Sequence, residues 1–366
     1  MKVNHNELKY LIKNAYYTKT PLMVTGGIGI GKSDQTRAAA RELAQEEKLE
    51  YTDDNHYDDE TRFHLIDIRV SQLDPVDLRG LPHYDEETKT TRWYYPSWLP
   101  TKGKGVIFFD EVNLATPFMQ SSLYQLILDR RIGDYKLPKG YIIIAAGNRL
   151  EDKANVFDLP APLANRFTHC ELEPPKVDPD WTNWALENEI DPTIISFLNW
   201  RKDYLYKPST TGKENAFPSP RTWMTANRIS KNAKDQKDNY MWKILMASAI
   251  GEGVATEFMA FVALQQNFDL KRFFANPEGY PFPQKVDERY AMMAALAAHT
   301  KEQPKTLDDV LRFSFRIPPE YGLVLARSCK SLFGHEKFVV HISPKIKTQF
   351  SELFSKYLGV EHVIKK

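Results

Sequence analysis

Up to about Glu173 the chain alternates short apolar runs with stretches of helical spacing. The runs are Leu22–Thr25, His64–Val70, Val106–Asp110, Tyr141–Ala146 and Thr168–Leu172. Runs this short have the length of buried strands, and the intervening segments repeat apolar positions every three or four residues. The alternation predicts an α/β domain on a mainly parallel, five-stranded sheet. After Pro174-Pro175 the pattern changes. Trp181–Glu189, Thr193–Tyr204, Pro220–Lys231 and Tyr240–Gln266 carry helical spacing, and strand-like runs nearly vanish. Trp181, Trp184, Phe197 and Trp200 are expected to fill a helical core. Lys207–Pro218 reads as a loop and the charged Lys231–Asn239 as a link between helices. Beyond Phe268 a proline-rich bend, Asn276–Pro283, precedes helices at Asp287–His299, Leu307–Phe315 and Pro319–Leu332. Phe338–Ile342 reads as a lone strand and Lys345–Leu358 as an amphipathic helix. The expected division is an α/β domain over 1–174, an all-helical region over 175–268 and a helical C-terminal region over 269–366.

Between the first strand and its helix the sequence reads Gly26-Gly27-Ile28-Gly29-Ile30-Gly31-Lys32-Ser33, followed by Asp34. This fits the phosphate-loop spacing G-x-x-x-x-G-K-S/T. An apolar strand before it and the helix formers of Asp34–Lys48 after it put the loop at a helix N-terminus, where backbone N–H groups and the helix dipole favour phosphate. Residues 26 to 34 are therefore the candidate phosphate cradle. Lys32 reaches the β- and γ-phosphates, and the Ser33 hydroxyl ligates Mg²⁺.

Val106-Ile-Phe-Phe-Asp110-Glu111 is an apolar run closed by two carboxylates. In a parallel sheet the C-terminal strand edge faces ligand. Asp110 there suits a metal-bound position and Glu111 a base that polarises water for attack on the γ-phosphate. Tyr141–Ala146 continues into Gly147-Asn148-Arg149. If that strand lies beside the Val106 strand, Asn148 could orient the attacking water.

Composition narrows the classes. Lys plus Arg number 49 against 48 acids, a net +1, so broad nucleic-acid binding has no electrostatic support. Only two cysteines occur, Cys170 and Cys329, without metal-site spacing; the default compartment is a reducing cytoplasm. No apolar run approaches the roughly 20 residues of a membrane helix, and the N-terminal segment has no signal-peptide core. The scattered histidines form no metal-binding pattern. The aromatic cluster Trp93–Trp98 lacks a basic run and reads as core or interface packing.

These strand ends, in this order, resemble an AAA+ ATPase, and further segments resemble its MoxR group. They are Asp74-Pro-Val-Asp77-Leu-Arg-Gly80-Leu-Pro82, Trp93-Tyr-Tyr-Pro96-Ser-Trp98-Leu-Pro100, Asp110-Glu-Val-Asn113-Leu-Ala115, Leu126–Tyr135, Pro160–Phe167 and Ser219-Pro-Arg221. The resemblance spans roughly residues 5 to 265. It implies the P-loop NTPase fold of AAA+ proteins, a three-layer α/β/α domain with a helical lid, and it implies roles at matching positions. Lys32 and Ser33 bind phosphate and Mg²⁺. Asp110 and Glu111 are the Walker B pair, with Glu111 the base. Asn148 is sensor 1, Arg166 a finger reaching a neighbouring subunit's site, and Arg221 sensor 2 on the lid. Arg130, Arg131, Arg149 and Asn165 lie close enough in sequence to stand in for Arg166. A finger in trans implies an oligomer, and the resemblance implies a homo-oligomeric six-membered ring, a hexamer, that hydrolyses ATP.

The leading expectation is thus a MoxR-type ATPase that remodels, assembles or matures a protein partner in a chaperone-like way. By resemblance, that partner is a von Willebrand factor A-domain protein. The runner-up is an NTP-driven nucleic-acid motor or restriction component of the same clade. A small-molecule kinase would not need the sensor and finger motifs. GTP is disfavoured by the lack of an Asn-Lys-x-Asp motif, and a switch with negligible turnover by the presence of Glu111 and Asn148.

Overall fold

Tyr141–Ala146 and Val106–Phe109 are buried at every position in the computed structural model. Aromatic and β-branched side chains suit a pleated surface covered on both faces, so these two runs form the centre of the sheet. The structure describes residues 1–54, 59–149, 157–208, 215–232, 239–333, 338 and 340–349. The chain divides into two compact units, Met1–Pro175 and Lys176–Lys366.

The strands of the first unit, in chain order, are β1 (Lys2–Val3), β2 (Leu22–Gly26), β3 (Glu50–Thr52), β4 (Arg62–Arg69), β5 (Leu81–Asp85), β6 (Thr90–Tyr94), β7 (Lys104–Asp110), β8 (Arg131–Ile132), β9 (Tyr135–Lys136), β10 (Tyr141–Gly147) and β11 (Thr168–Leu172). Its helices are α1 (His5–Thr18), α2 (Lys32–Glu46), α3 (Pro75–Arg79), α4 (Pro117–Asp129) and α5 (Ala161–Ala164). The main sheet has seven strands in the order β1-β11-β2-β10-β7-β4-β3, and every pairing is parallel. The five expected strands form its interior. The two added ones, β1 and β3, are edge strands of two and three residues that each bury a single side chain, Val3 and Thr52, so no apolar run announces them. β5–β6 and β8–β9 are separate antiparallel hairpins.

Alternation along the strands assigns the layers. Ile107, Phe109, Ile143 and Ala145 share one face and cluster with Met119, Leu123, Leu126 and Ile127 of α4. On the other side Tyr16 of α1 meets Phe63 of β4 at 5.5 Å between ring centroids, and Glu42 of α2 pairs with Lys9 and Lys13 of α1 at 2.9 and 3.3 Å. The result is an α/β/α sandwich.

The second unit is helical: α6 (Thr182–Glu187), α7 (Pro192–Trp200), α8 (Pro220–Asn232), α9 (Asn239–Ile250), α10 (Glu252–Gln266), α11 (Leu270–Ala275), α12 (Val286–Glu302), α13 (Leu307–Ser314) and α14 (Pro319–Phe333). Trp181 and Phe197 are buried as expected, and Trp184 and Trp200 pack at the margin of the same cluster. Phe197 meets Trp200, Tyr204, Trp223, Phe258 and Phe261 with centroids between 5.2 and 6.1 Å. A second cluster gathers around Phe273, Leu311 and Phe313.

Two expectations are corrected, and a third is divided. Tyr240–Gln266 is two helices, broken at Gly251, whose φ of 83° leaves the helical region. The expected strand at 338–342 is helical at Phe338, Val340 and His341; Phe338 and Ile342 bury a helical side, at 2% and 5% exposure, while Val340 is 80% exposed. In the Trp93–Trp98 cluster only Trp98 joins the core, edge-on to Phe109 at 6.1 Å, whereas Trp93, Tyr94 and Tyr95 remain 38%, 65% and 47% exposed. The expected terminal helix is seen from Pro344 to Gln349, and its remainder lies outside the described residues, as do 209–214 of the expected loop and 233–238 of the expected link. Among the described residues, no helix is long and apolar enough to cross a membrane.

Phe197→Ala empties the centre of the aromatic cluster. It should lower the unfolding free energy of the second unit by about 3–5 kcal/mol, measured by denaturant titration of tryptophan fluorescence. Tyr240→Ala on the exposed side of α9 should change it by less than about 0.5 kcal/mol.

Candidate functional site

The loop between β2 and α2 is shaped by glycine. Gly29 and Gly31 have φ of 75° and 101°, values a side chain would resist. Gly26 is needed for a different reason: a Cβ there would come within 2.9 Å of the Leu172 carbonyl on β11. From α1, His5 Nε2 meets the Ile30 carbonyl at 2.8 Å and braces the loop from outside. Gly31 caps α2, so the first-turn N–H groups, which have no intrahelical carbonyl, face the loop. The Asp34 side chain turns away; it is 80% exposed and lies 3.5 Å from Arg37. What Asp34 offers an anion is its backbone N–H.

Strand order decides what surrounds this loop. β10 lies between β2 and β7, so the ends of the loop strand, the Asn148 strand and the acidic strand stand side by side. Lys32, 9% exposed, donates from Nζ to the Gly26 and Gly27 carbonyls at 2.7 and 2.9 Å and to Asn148 Oδ1 at 3.2 Å. Ser33 Oγ donates to Asp110 Oδ2 at 2.9 Å. Asp110 Oδ1 accepts from the Glu111 N–H at 2.9 Å. Glu111 occupies the left-handed region at φ 57°, which turns the chain sharply at the strand end. Its Oε2 accepts from Ser71 Oγ at 2.5 Å, across from the end of β4. Asn113 Nδ2 donates to the Asn148 carbonyl at 2.6 Å, and its Oδ1 accepts from the Asn148 N–H at 3.0 Å. On β4, burial and then the negative charge of Asp110 push the Asp67 carboxyl above its ordinary range; the Arg37 guanidinium, 3.5 Å away, opposes this.

Five residues picked from spacing therefore meet at one sheet edge: Lys32, Ser33, Asp110, Glu111 and Asn148. Arg166 follows α5, exposed, and its side chain has no partner among the described residues. The stand-ins differ. Arg130 Nη2 donates to the Pro138 and Tyr141 carbonyls at 2.8 Å each, a structural task, and Arg149 faces Glu171 at 3.7 Å. Arg131 and Asn165 are exposed. Arg221 is an exposed residue in the first turn of α8, in the other unit. Sequence reasoning missed the brace by His5, the Ser71 contact and the Asn113 bracket. Of these only Asn113 left a trace, as the fourth position of Asp110-Glu-Val-Asn113.

A lysine and a serine would say little alone, but the donor set is coherent. Among the described residues no cluster of three or more acids, histidines or cysteines could hold a metal unaided. One hydroxyl and one carboxylate at bonding distance fit Mg²⁺, which keeps waters and shares substrate phosphates.

A parallel sheet with a phosphate loop, an acidic strand end and a polar strand end between them is an α/β fold that resembles that of AAA+ ATPases. In sequence the chain is MoxR-like: it is 26% identical over 162 residues to protein MoxR of Methylorubrum extorquens strain AM1, a stretch covering 43% of this chain and 41% of that protein. The chain thus matches about two-fifths of that relative's length. No family model matches. Among solved structures, a putative ATPase from Cytophaga hutchinsonii aligns over 94% of this chain and 88% of its own at 15% identity and a TM-score of 0.31. A RuvB variant from Thermotoga maritima aligns over 94% and 92% at 14% identity and a TM-score of 0.38. The fold assignment rests on the strand order itself.

Ser33→Ala deletes the hydroxyl that bonds Asp110. With nucleotide and Mg²⁺ absent it should cost the first unit about 1 kcal/mol of unfolding free energy, with Ser33→Thr closer to wild type in the same denaturant titration.

Proposed function

We propose that the chain is a MoxR-type ATPase that hydrolyses ATP with Mg²⁺ and uses the reaction to remodel, assemble or mature a protein partner. The observation that carries this reading is the meeting of Lys32, Ser33, Asp110, Glu111 and Asn148 at adjacent ends of parallel strands. A phosphate-holding loop needs only the first two. A base and a water-orienting carboxamide beside them are the additions that hydrolysis requires.

Each residue has a definable task. The α2 N-terminus and Lys32 hold the phosphates of ATP. Ser33 and Asp110 would hold Mg²⁺, which when bound neutralises phosphate charge. Glu111 takes the proton of the attacking water, and Asn148 fixes that water's orientation from the neighbouring strand. Glu111 must leave Ser71 or share it to do so, since one carboxylate oxygen already accepts from that hydroxyl. Arg166 is exposed on the first unit and has no side-chain partner among the described residues, which suits a guanidinium offered to another subunit's γ-phosphate. The resemblance assigns Arg221 the corresponding task from a helical lid, read here as 175–268, with 269–366 a further helical region. A finger in trans entails an oligomer, read by resemblance as a closed homo-oligomeric ring, a hexamer. The partner is read by resemblance as a von Willebrand factor A-domain protein, and the near-neutral charge gives a nucleic-acid motor no comparable support.

Phosphate release should require Mg²⁺ and vanish in Lys32→Ala. Glu111→Gln should still bind ATP while turnover falls about 10²- to 10⁴-fold; wild-type turnover in that variant would rule out Glu111 as the base. Arg166→Ala and Lys32→Ala subunits, each inactive, should regain part of the activity when mixed, read as phosphate release against mixing ratio. A fully active monomer at every concentration would end the ring reading.

A further inference from the structure

Asn113 sits two residues past the acid pair, and none of the tasks above uses it. It is 6% exposed. Its carboxamide grips one residue of the neighbouring strand end from both sides, accepting from the Asn148 N–H at 3.0 Å and donating to the Asn148 carbonyl at 2.6 Å. Two further observations show that the surroundings are fitted to this grip. A Cβ on Gly147 would lie 2.5 Å from Asn113 Oδ1, so the strand needs glycine at that place for the carboxamide to reach its partner; the Gly147 backbone itself has no positive φ that would demand one. Gln120, fully buried, donates from Nε2 to the Val112 and Ala115 carbonyls at 3.4 and 3.1 Å, which holds the turn on both sides of Asn113.

We infer that Asn113 is a positioning residue for hydrolysis, fixing the Asn148 carboxamide against the turn that carries Glu111; this rests on the ATPase reading above. The physical argument is one of degrees of freedom. β7 and β10 are hydrogen-bonded to each other only up to the Phe109–Ala145 pair, so the two catalytic ends lie beyond their shared ladder, each held on its far side by β4 or β2. Without a cross-link the Asn148 end and the Glu111 turn are fixed to other strands but not to each other, and a displacement of about 1 Å can cost a hundredfold in rate. A side chain that donates and accepts in one plane closes the gap. Aspartate, when ionised, only accepts, and would set a negative charge against the Asn148 carbonyl; alanine does neither.

The test uses the full chain and steady-state ATP hydrolysis. Asn113→Ala should lower kcat about 10- to 100-fold, with KM for ATP near wild type and a fold that stays cooperative at the assay temperature despite the loss of two buried hydrogen bonds. Asn113→Asp supplies the readout that a packing role would not move. Burial raises the pKa of the new carboxyl, and its protonated form again donates and accepts. Its kcat relative to wild type should therefore climb as pH falls from about 8 to about 6, while the Asn113→Ala ratio stays flat. Gly147→Ala, which pushes the carboxamide out, should lower kcat on its own and cost nothing further in the Asn113→Ala background. A hydrolysing wild type with an unaffected Asn113→Ala, a loss confined to KM, a flat Asn113→Asp ratio, or additive Gly147 and Asn113 effects would overturn the inference alone. A wild type that binds ATP without hydrolysing it would instead overturn the ATPase reading, and the inference with it.

Discussion

The site depends on one pairing choice: β10 inserts between β2 and β7. Were the loop strand and the acidic strand direct neighbours, a phosphate would be held between lysine and carboxylates, with no polar group from a third strand end. Insertion spaces the loop strand from the acidic strand by one strand width and places Asn148 between them, where its Oδ1 takes the Lys32 ammonium. The buried apolar character of β10 secures this. Every residue of Tyr141–Gly147 is buried, so the strand cannot move to an edge without exposing its whole length.

The same constraint explains why so few polar contacts are enough. Parallel strands buried on both faces share one rigid register, and the functional side chains project from the strand ends or from the turns and helix start just beyond them. Hydrogen bonds within the site then set orientation more than position. Ser33 to Asp110, Ser71 to Glu111 and the two bonds from Asn113 each fix the direction of a group whose place the sheet has already determined.

Much of this was legible in the sequence, for physical reasons that differ by element. The five interior strands were visible because double-sided burial demands continuous apolar runs. The glycine loop was visible because positive φ and close approach to β11 leave few residue choices. The edge strands β1 and β3 gave no sign because half-exposed pairs need no apolar run. The Asn113 bracket was hidden because its partner is backbone, which carries no side-chain signature, and lies 35 residues away. Ser71 was hidden in the same way behind a tertiary contact 40 residues long. Phe338–Ile342 misled because a short apolar run fits strand and helix equally, and here burial at Phe338 and Ile342 follows the helical spacing.

The left-handed backbone at Glu111 sets folding and chemistry against each other at one position. A non-glycine residue there carries a conformational cost of about 1–3 kcal/mol, which the chain bears where glycine would be free of it. The fold on its own would favour losing that side chain; only use of the carboxylate would keep it. Drift toward glycine at 111 would thus be the expected signature of a descendant that had kept the architecture and given up turnover.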